Sequence, residues 1–363
     1  MNPTYFKSVH ALRGLAALSV MFFHFRWSVN ATSPELGNAL FGWGATGVDL
    51  FFLISGFVIV LAIKNTPATL SGMLFFLRRR VFRILPAYYL ILIITFLLSG
   101  AMSTFHYADK TQNFISALLF QPIYPDHGPY YVDDSGMYGI RWTLNYELYF
   151  YLAVGLLLTL PRRGAVITIW FALTLFALPW MAGKSLSLAE QGYELGSAQL
   201  NLVTNPMILL FIVGMLIGRS VPLLRQLNSR LMLVLLIMSF ILAIILFSHG
   251  RFMTHGLTGS GWIYALILSC AVASEASLGK WIPGMLLKLG DISFSLYLVH
   301  TLMNEGIGKR LNDLGINEGP LRFTVSVILS LLLAWLSWRF IEKPFNALIK
   351  GRVLPPALAT TNG

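Results

Sequence analysis

An arginine and a histidine, Arg13 and His24, stand in the otherwise apolar stretch VHALRGLAALSVMFFHF, residues 9–25. Eleven residues at about 100° each make three turns plus about 20°, so in a helix both side chains lie on one face, about 16 Å apart along the axis. Histidine titrates near neutral pH and can act as a general base on a hydroxyl. An arginine inside a membrane can hold a phosphate or a developing oxyanion. A helix facing only lipid would not keep such groups, because ionisable side chains in hydrocarbon are costly. The face is therefore expected to look inward, onto a polar chamber shared by both residues. The plain alternative is a polar pair that only bridges helices.

Three further clusters could do chemistry. Arg78, Arg79, Arg80 and Arg83 precede the third apolar run without a single lysine among them. Arginine recognises phosphate in a planar, bidentate way, and Arg80 and Arg83 are neighbours if helical. The same cluster also suits ordinary topology and attraction to lipid headgroups. Asp49, in GVDLFFLISGF, falls at the outer end of the second run, near where His24 ends the first. It could orient and charge an imidazole, or simply favour a helix N-terminus. Glu147, in WTLNYELYFY, falls about one turn into the fourth run among several tyrosines, with Arg13, His24 and Arg141 as candidate partners. It suits either chemistry or a structural salt bridge.

Weaker signals are His300, read as a hydrogen-bonded core residue, and Glu342–Pro344, read as a helix stop. The GWGATG stretch at 42–47 has the glycine spacing of a dinucleotide loop, but no strand precedes it, which rejects that reading. Asn30-Ala31-Thr32 is a glycosylation sequon only in a eukaryotic secretory pathway.

The elements that must position these residues are membrane helices. Of 363 residues, 56% are hydrophobic and 11% charged, with a mean hydropathy of +0.70, the profile of a polytopic membrane protein. Apolar runs predict ten spans, near 9–27, 46–63, 84–102, 143–160, 165–182, 202–218, 231–248, 257–274, 289–304 and 323–341. With the N-terminus in the cytoplasm, 18 of the 26 basic residues fall on the cytoplasmic side. The expected fold is thus an all-α integral membrane bundle of about ten transmembrane helices with both termini cytoplasmic. Residues 1–345 form the membrane domain, and 346–363 a short tail that looks disordered at 360–363. The net charge of +11 reads as topology rather than nucleic-acid binding. Arg13 interrupts the first run, which argues against a cleavable signal peptide. Cys270 is the only cysteine, so an internal disulfide or multi-cysteine metal site is excluded and a buried inert thiol is expected. Residues 103–142 form an outer loop long enough to act as a lid, and 114–120 is apolar but too short to span. No internal repeat is visible, which counts against an inverted-repeat transporter.

Physics alone leaves two classes open: an enzyme using a phosphate-bearing donor from the cytoplasm, and a transporter or flippase of an anionic small molecule or glycolipid. Six stretches in register across the whole chain resemble the acyltransferase-3 family of integral membrane proteins. They are residues 12–24, 47–57, Arg80-x-x-Arg83, Trp142 to Glu147, Ser295 to His300, and Glu342 to Phe345. The resemblance implies an O-acetyltransferase of the bacterial inner membrane. Its donor would be cytoplasmic acetyl-CoA, its acceptor a hydroxyl of an envelope carbohydrate or lipid-linked glycan, and no metal would be needed. His24 would be the catalytic histidine, as base or acyl carrier. Arg13, Arg80 and Arg83 would bind the donor, with Asp49 and Glu147 as supporting acids. Some relatives carry a fused extracytoplasmic SGNH domain. This chain ends soon after its tenth run, so it is expected to acylate the final acceptor itself or to pass the acyl group to a separate protein. Lipids surround the bundle, and homo-oligomerisation stays open.

Overall fold

Apolar runs of spanning length become helices because, in hydrocarbon, every backbone N–H and C=O must find its partner within its own segment. The computed structural model describes residues 5–64, 66–133 and 136–350, and no strand occurs among them. Its main helices are α1 (Lys7–Thr32), α2 (Gly47–Ile63), α3 (Leu70–Thr95), α4 (Gly136–Leu157) and α5 (Arg163–Ala172). They are followed by α6 (Ile208–Arg219), α7 (Ser229–Ser248), α8 (Trp262–Ala273), α9 (Gly284–Val299) and α10 (Gly319–Ser337). Each overlaps one predicted run. With their short helical extensions, eight are long and apolar enough to cross a membrane. The other two are α4, which carries Arg141 and Glu147, and α8, which is shorter. The chain is an all-α, multi-pass membrane protein.

Small residues set how closely the helices approach, as expected where lipid offers no hydrophobic drive for association. A Cβ on Gly56 of α2 would come to 2.0 Å from the Phe211 carbonyl oxygen of α6, and one on Gly214 to 2.0 Å from that of Leu53. On α1, a Cβ at Gly14 would sit 2.8 Å from the backbone nitrogen of Gly290 in α9. The glycines of GWGATG serve packing as well: a Cβ on Gly44 would meet the Ser19 carbonyl oxygen of α1 at 2.1 Å. The N-terminus of α1, with no cap from its own chain neighbours, is closed by Glu275. That carboxylate accepts from the backbone N–H of Lys7 (2.8 Å) and Ser8 (3.0 Å).

Four sequence expectations are corrected. The arginine cluster is not a preamble to the third span; α3 begins at Leu70, capped by the Thr69 hydroxyl (3.2 Å from the Gly72 nitrogen), so Arg78–Arg83 are helical. α4 begins at Gly136, which puts Glu147 about three turns into the helix rather than one. The expected loop at 103–142 contains a helix, Ala108–Leu119, anchored where Tyr88 and Tyr89 of α3 donate to the carbonyls of Ala117 (2.9 Å) and Leu118 (2.8 Å). Finally, Glu342–Pro344 does not stop the chain. A π turn, Trp338–Glu342, widens the backbone and Pro344 enters the first turn of a further helix, Lys343–Lys350, where its missing N–H is tolerated. The tail expected at 346–363 is described only to residue 350, and 360–363 lie outside the described residues.

Two arginines are fully buried. Arg322 donates to the carbonyls of Met303 (2.8 Å), Ile316 (3.0 Å) and Gly308 (3.1 Å) and so pins the segment between α9 and α10. Arg141 donates to Ser116 (3.0 Å) and Asn113 (3.4 Å), tying the Ala108–Leu119 helix to α4. Cys270 is buried and unpaired.

Replacing Gly56 by alanine is expected to force α2 and α6 apart and destabilise the bundle by about 1–3 kcal/mol, the usual cost of overpacking. Thermal unfolding of the detergent-solubilised protein checks this. An unchanged midpoint would contradict the close approach.

Candidate active site

A cavity of about 700 Å³ opens at the end of the bundle that carries the start of α1 and the arginine cluster. Arg13, Arg79, Arg80 and Arg83 line it, with Phe57, Phe294 and Trp338 among its apolar walls. Its volume lies in the range of small-molecule sites. Arg80 is buried, its guanidinium stacked 5.3 Å from the Tyr151 ring centre and 5.5 Å from that of Phe76. Arg13 donates to the Gly290 carbonyl. Among the described residues, none of these four arginines has a carboxylate within 4.0 Å. Guanidinium groups lining a cavity can hold an anion, and arginine favours phosphate or carboxylate through paired N–H donors. Glu342 also lines it but is held by the Ser295 hydroxyl, and Asp291 is paired with His10 at 3.0 Å.

Arg13, Arg80 and Arg83 also border a second, narrower cavity of about 60 Å³, deeper in the bundle. Its polar lining comes from Ser55 of α2, Thr143, Glu147 and Tyr151 of α4, and Ser293 and Tyr297 of α9. Glu147 accepts hydrogen bonds from Ser55 (3.0 Å) and Tyr151. None of its three sequence-suggested partners contacts it: Arg141 is committed to the outer segment, and neither Arg13 nor His24 is within bonding distance. Two hydroxyl donors satisfy the carboxylate instead, and Arg80 reaches it only across the Tyr151 ring.

His24 does not border either cavity. Its ring packs against His300, the two centres 4.9 Å apart, while its backbone carbonyl accepts from Asn304 (3.2 Å). His300 is fully buried, and its ring centre lies 5.9 Å from that of Tyr297, which does line the inner cavity. The polar path therefore runs from the arginines past Glu147 to Tyr297, then His300, then His24. The expectation of one chamber shared by Arg13 and His24 is corrected to a graded path: Arg13 faces the cavity, and His24 stands behind Tyr297 of α9 and His300, which opens the 3-10 turn after it.

Asp49 is corrected too. It does not bond to His24. Fully buried, it accepts from His255 Nδ1 (2.9 Å), the Gly256 backbone N–H (3.0 Å) and the Ser260 hydroxyl (2.6 Å). Its work is to hold the segment between α7 and α8 against the head of α2. Burial alone would lower the pKa of His255, but the adjacent Asp49 carboxylate outweighs it and the value is raised above the ordinary 6.5. His255 escaped the sequence reading because it sits in a loop far from Asp49 along the chain. His300 was noted, but its partner was not, since nothing in the spacing within one helix reports contact with another. Among the described residues, no cluster of three or more His, Cys, Asp or Glu could hold a metal.

The fold is that of a multi-pass membrane protein, with an arginine-lined cavity and a pair of histidines, His24 partly and His300 fully buried. Residues 6–339 match the family model described as an acyltransferase domain, and the chain belongs to the acyltransferase-3 family: it is a membrane O-acyltransferase. It is similar to the exopolysaccharide production protein ExoZ of Rhizobium meliloti (strain 1021), with 28% identity over 330 residues, 87% of this chain and 94% of the relative. It is similar to nodulation protein 10 of Rhizobium leguminosarum bv. viciae, with 32% identity over 171 residues, 42% of this chain and 44% of the relative. A provisionally named O-acetyltransferase of Staphylococcus aureus (strain COL) is 24% identical over 381 residues, 94% of this chain and 57% of the relative. No solved structure matches the chain.

The raised pKa of His255 makes a statement about stability. A group whose pKa rises on folding stabilises fully below its unfolded value and loses that contribution as pH climbs through the folded one. The unfolding midpoint of the wild type should therefore exceed that of His255→Gln most near pH 6, and the gap should narrow toward pH 9, as read by thermal melts in detergent. A gap that widens with pH would contradict the ion pair.

Proposed function

We propose that this protein moves an acyl group, acetyl in the simplest case, from acyl-CoA on the cytoplasmic side to a hydroxyl of an envelope or extracellular carbohydrate, as an enzyme of the bacterial inner membrane. The observation that carries the reading is the arginine-lined cavity that narrows toward Tyr297 and the two histidines. The donor has an anionic end of phosphates and a slender thioester arm. Arg79, Arg80 and Arg83 suit the phosphates, and the narrow inner cavity suits the arm. Arg13 borders both spaces, where its charge would offset the negative charge that develops as the thioester is attacked. His24 would take the proton of the acceptor hydroxyl, or carry the acyl group between donor and acceptor. Glu147, satisfied by Ser55 and Tyr151, would keep the wall beside Arg80 in place.

The relatives support the acceptor class. One is named for exopolysaccharide production and another as an O-acetyltransferase. The orientation rests on the excess of basic residues on the arginine-cavity side.

Purified protein given acetyl-CoA and polysaccharide from a strain lacking the gene should release CoA only when both are present; uptake without CoA release would mark a transporter. His24→Ala should lower kcat at least about 100-fold, the low end for a lost acid–base group, with the protein still folded. Arg80→Ala with Arg83→Ala should raise the KM for acetyl-CoA about tenfold or more, since a charge-assisted hydrogen bond is worth about 1.5–3 kcal/mol. An unchanged donor KM would return the cluster to topology alone.

A further inference from the structure

We propose that Asp291, steadied by His10, reads the base of the acyl-CoA donor by accepting a hydrogen bond from its exocyclic amine, so that the larger cavity fixes which way the donor lies. The proposal rests on the acyl-CoA reading above and gives a role to a pair which that reading leaves unused.

The lining of the larger cavity is mixed in charge: four arginines and two acids border it. Glu342 is buried and held by the Ser295 hydroxyl, so it offers little to a ligand. Asp291, on α9, keeps 46% of its side chain exposed. Its Oδ1 lies 3.0 Å from His10 Nε2 of α1, and among the described residues no hydrogen bond reaches Oδ2. An ionised carboxylate only accepts and a guanidinium only donates. Asp291 is thus an exposed charged group of this lining that takes a hydrogen from a ligand rather than giving one. The His10 ring packs in turn on Tyr5, 5.7 Å between centres, and Tyr5 is half exposed at the same lining. An aromatic ring, an imidazole and a carboxylate follow one another along one wall.

A purine uses both ends of that run. Its flat face stacks on aromatic rings, and its amine donates from its edge. The order of the cavities fits the order of the donor. Arg13, Arg80 and Arg83 border both spaces, whereas Tyr5, His10 and Asp291 border only the larger one. In the donor the thioester arm comes first, the diphosphate next and the base last. The amides of the arm belong with the narrow inner cavity, which Asp291 does not border. Phosphate is repelled by a carboxylate, and the ribose hydroxyl beside the 3′-phosphate carries that charge with it. The amine of the base is the donor group left for Asp291.

The test compares two donors, using the full-length protein in detergent, polysaccharide from a strain lacking the gene, and released thiol as the readout. One donor is acetyl-CoA, and the other is its analogue with hydrogen in place of the amine of the base. The wild type is expected to show a KM at least about fivefold higher for the analogue with kcat unchanged, as for a lost hydrogen bond to a charged group that water partly replaces. Asp291→Ala and Asp291→Leu remove the acceptor. Both are expected to fold, to keep kcat, and to bring the two KM values within about twofold of each other. Lost packing or lost surface charge would move both KM values together, so their ratio isolates the reading of the amine. A smaller ratio in the wild type would overturn the proposal, and so would a folded variant that keeps the wild-type ratio. Failure of both variants to fold would overturn it as well, by assigning the His10–Asp291 pair to structure. Absence of thiol release from acetyl-CoA by the wild type would instead reject the donor reading, which keeps the two failures apart.

Discussion

The arrangement depends on one close contact between backbones. At Gly14 and Gly290, α1 and α9 approach so closely that a Cβ on either would collide with the other helix, and the guanidinium of Arg13 bonds the Gly290 carbonyl beside it. From that crossing α1 runs ten residues further to His24, and α9 runs on to Val299, with His300 the next residue, at the start of a 3-10 turn. Ten residues of helix rise about 15 Å, so two helices leaving one contact side by side carry their tenth residues to the same depth. The ring contact at 4.9 Å is the result. A bulkier pair at 14 and 290 would separate the histidines without touching either.

Charge placement follows a single rule throughout the bundle: a buried charge is kept only where it is satisfied or where something is meant to satisfy it. Arg322 and Arg141 are spent on carbonyls and side chains of the outer segments, Asp49 on a loop histidine and its neighbours, and Glu275 on the start of α1. Arg80, buried, and Arg83, half-buried, have no carboxylate within 4.0 Å among the described residues, and with the exposed Arg79 they line a cavity. That contrast separates structural arginines from those available to a ligand, although their residue type is the same.

The family assignment and the geometry bear on different questions. Membership rests on a match over residues 6–339 and establishes an acyltransferase. The geometry says how the parts are ordered: arginines at the mouth, the Glu147 wall in the middle, and Tyr297 and two histidines at the end. In that order Arg13 is an entrance residue and His24 a terminal one, though both lie on one face of one helix.

By itself the sequence determined the class of the fold, the apolar runs that overlap the ten main helices, and the residues that could carry charge within them. Hydrocarbon permits little besides helices, and apolar runs declare themselves by length. The helical face shared by Arg13 and His24 was legible for the same reason, since it depends only on spacing within one element. Only the tertiary structure decided the partners. Asp49 went to His255 rather than His24, Arg141 to Ser116 and Asn113 rather than Glu147, and His24 to His300. Those pairings join residues that lie 206, 25 and 276 positions apart in the chain. They depend on which helices cross and how closely, which is set by glycines and carbonyls on facing surfaces and leaves no periodic trace in either helix alone.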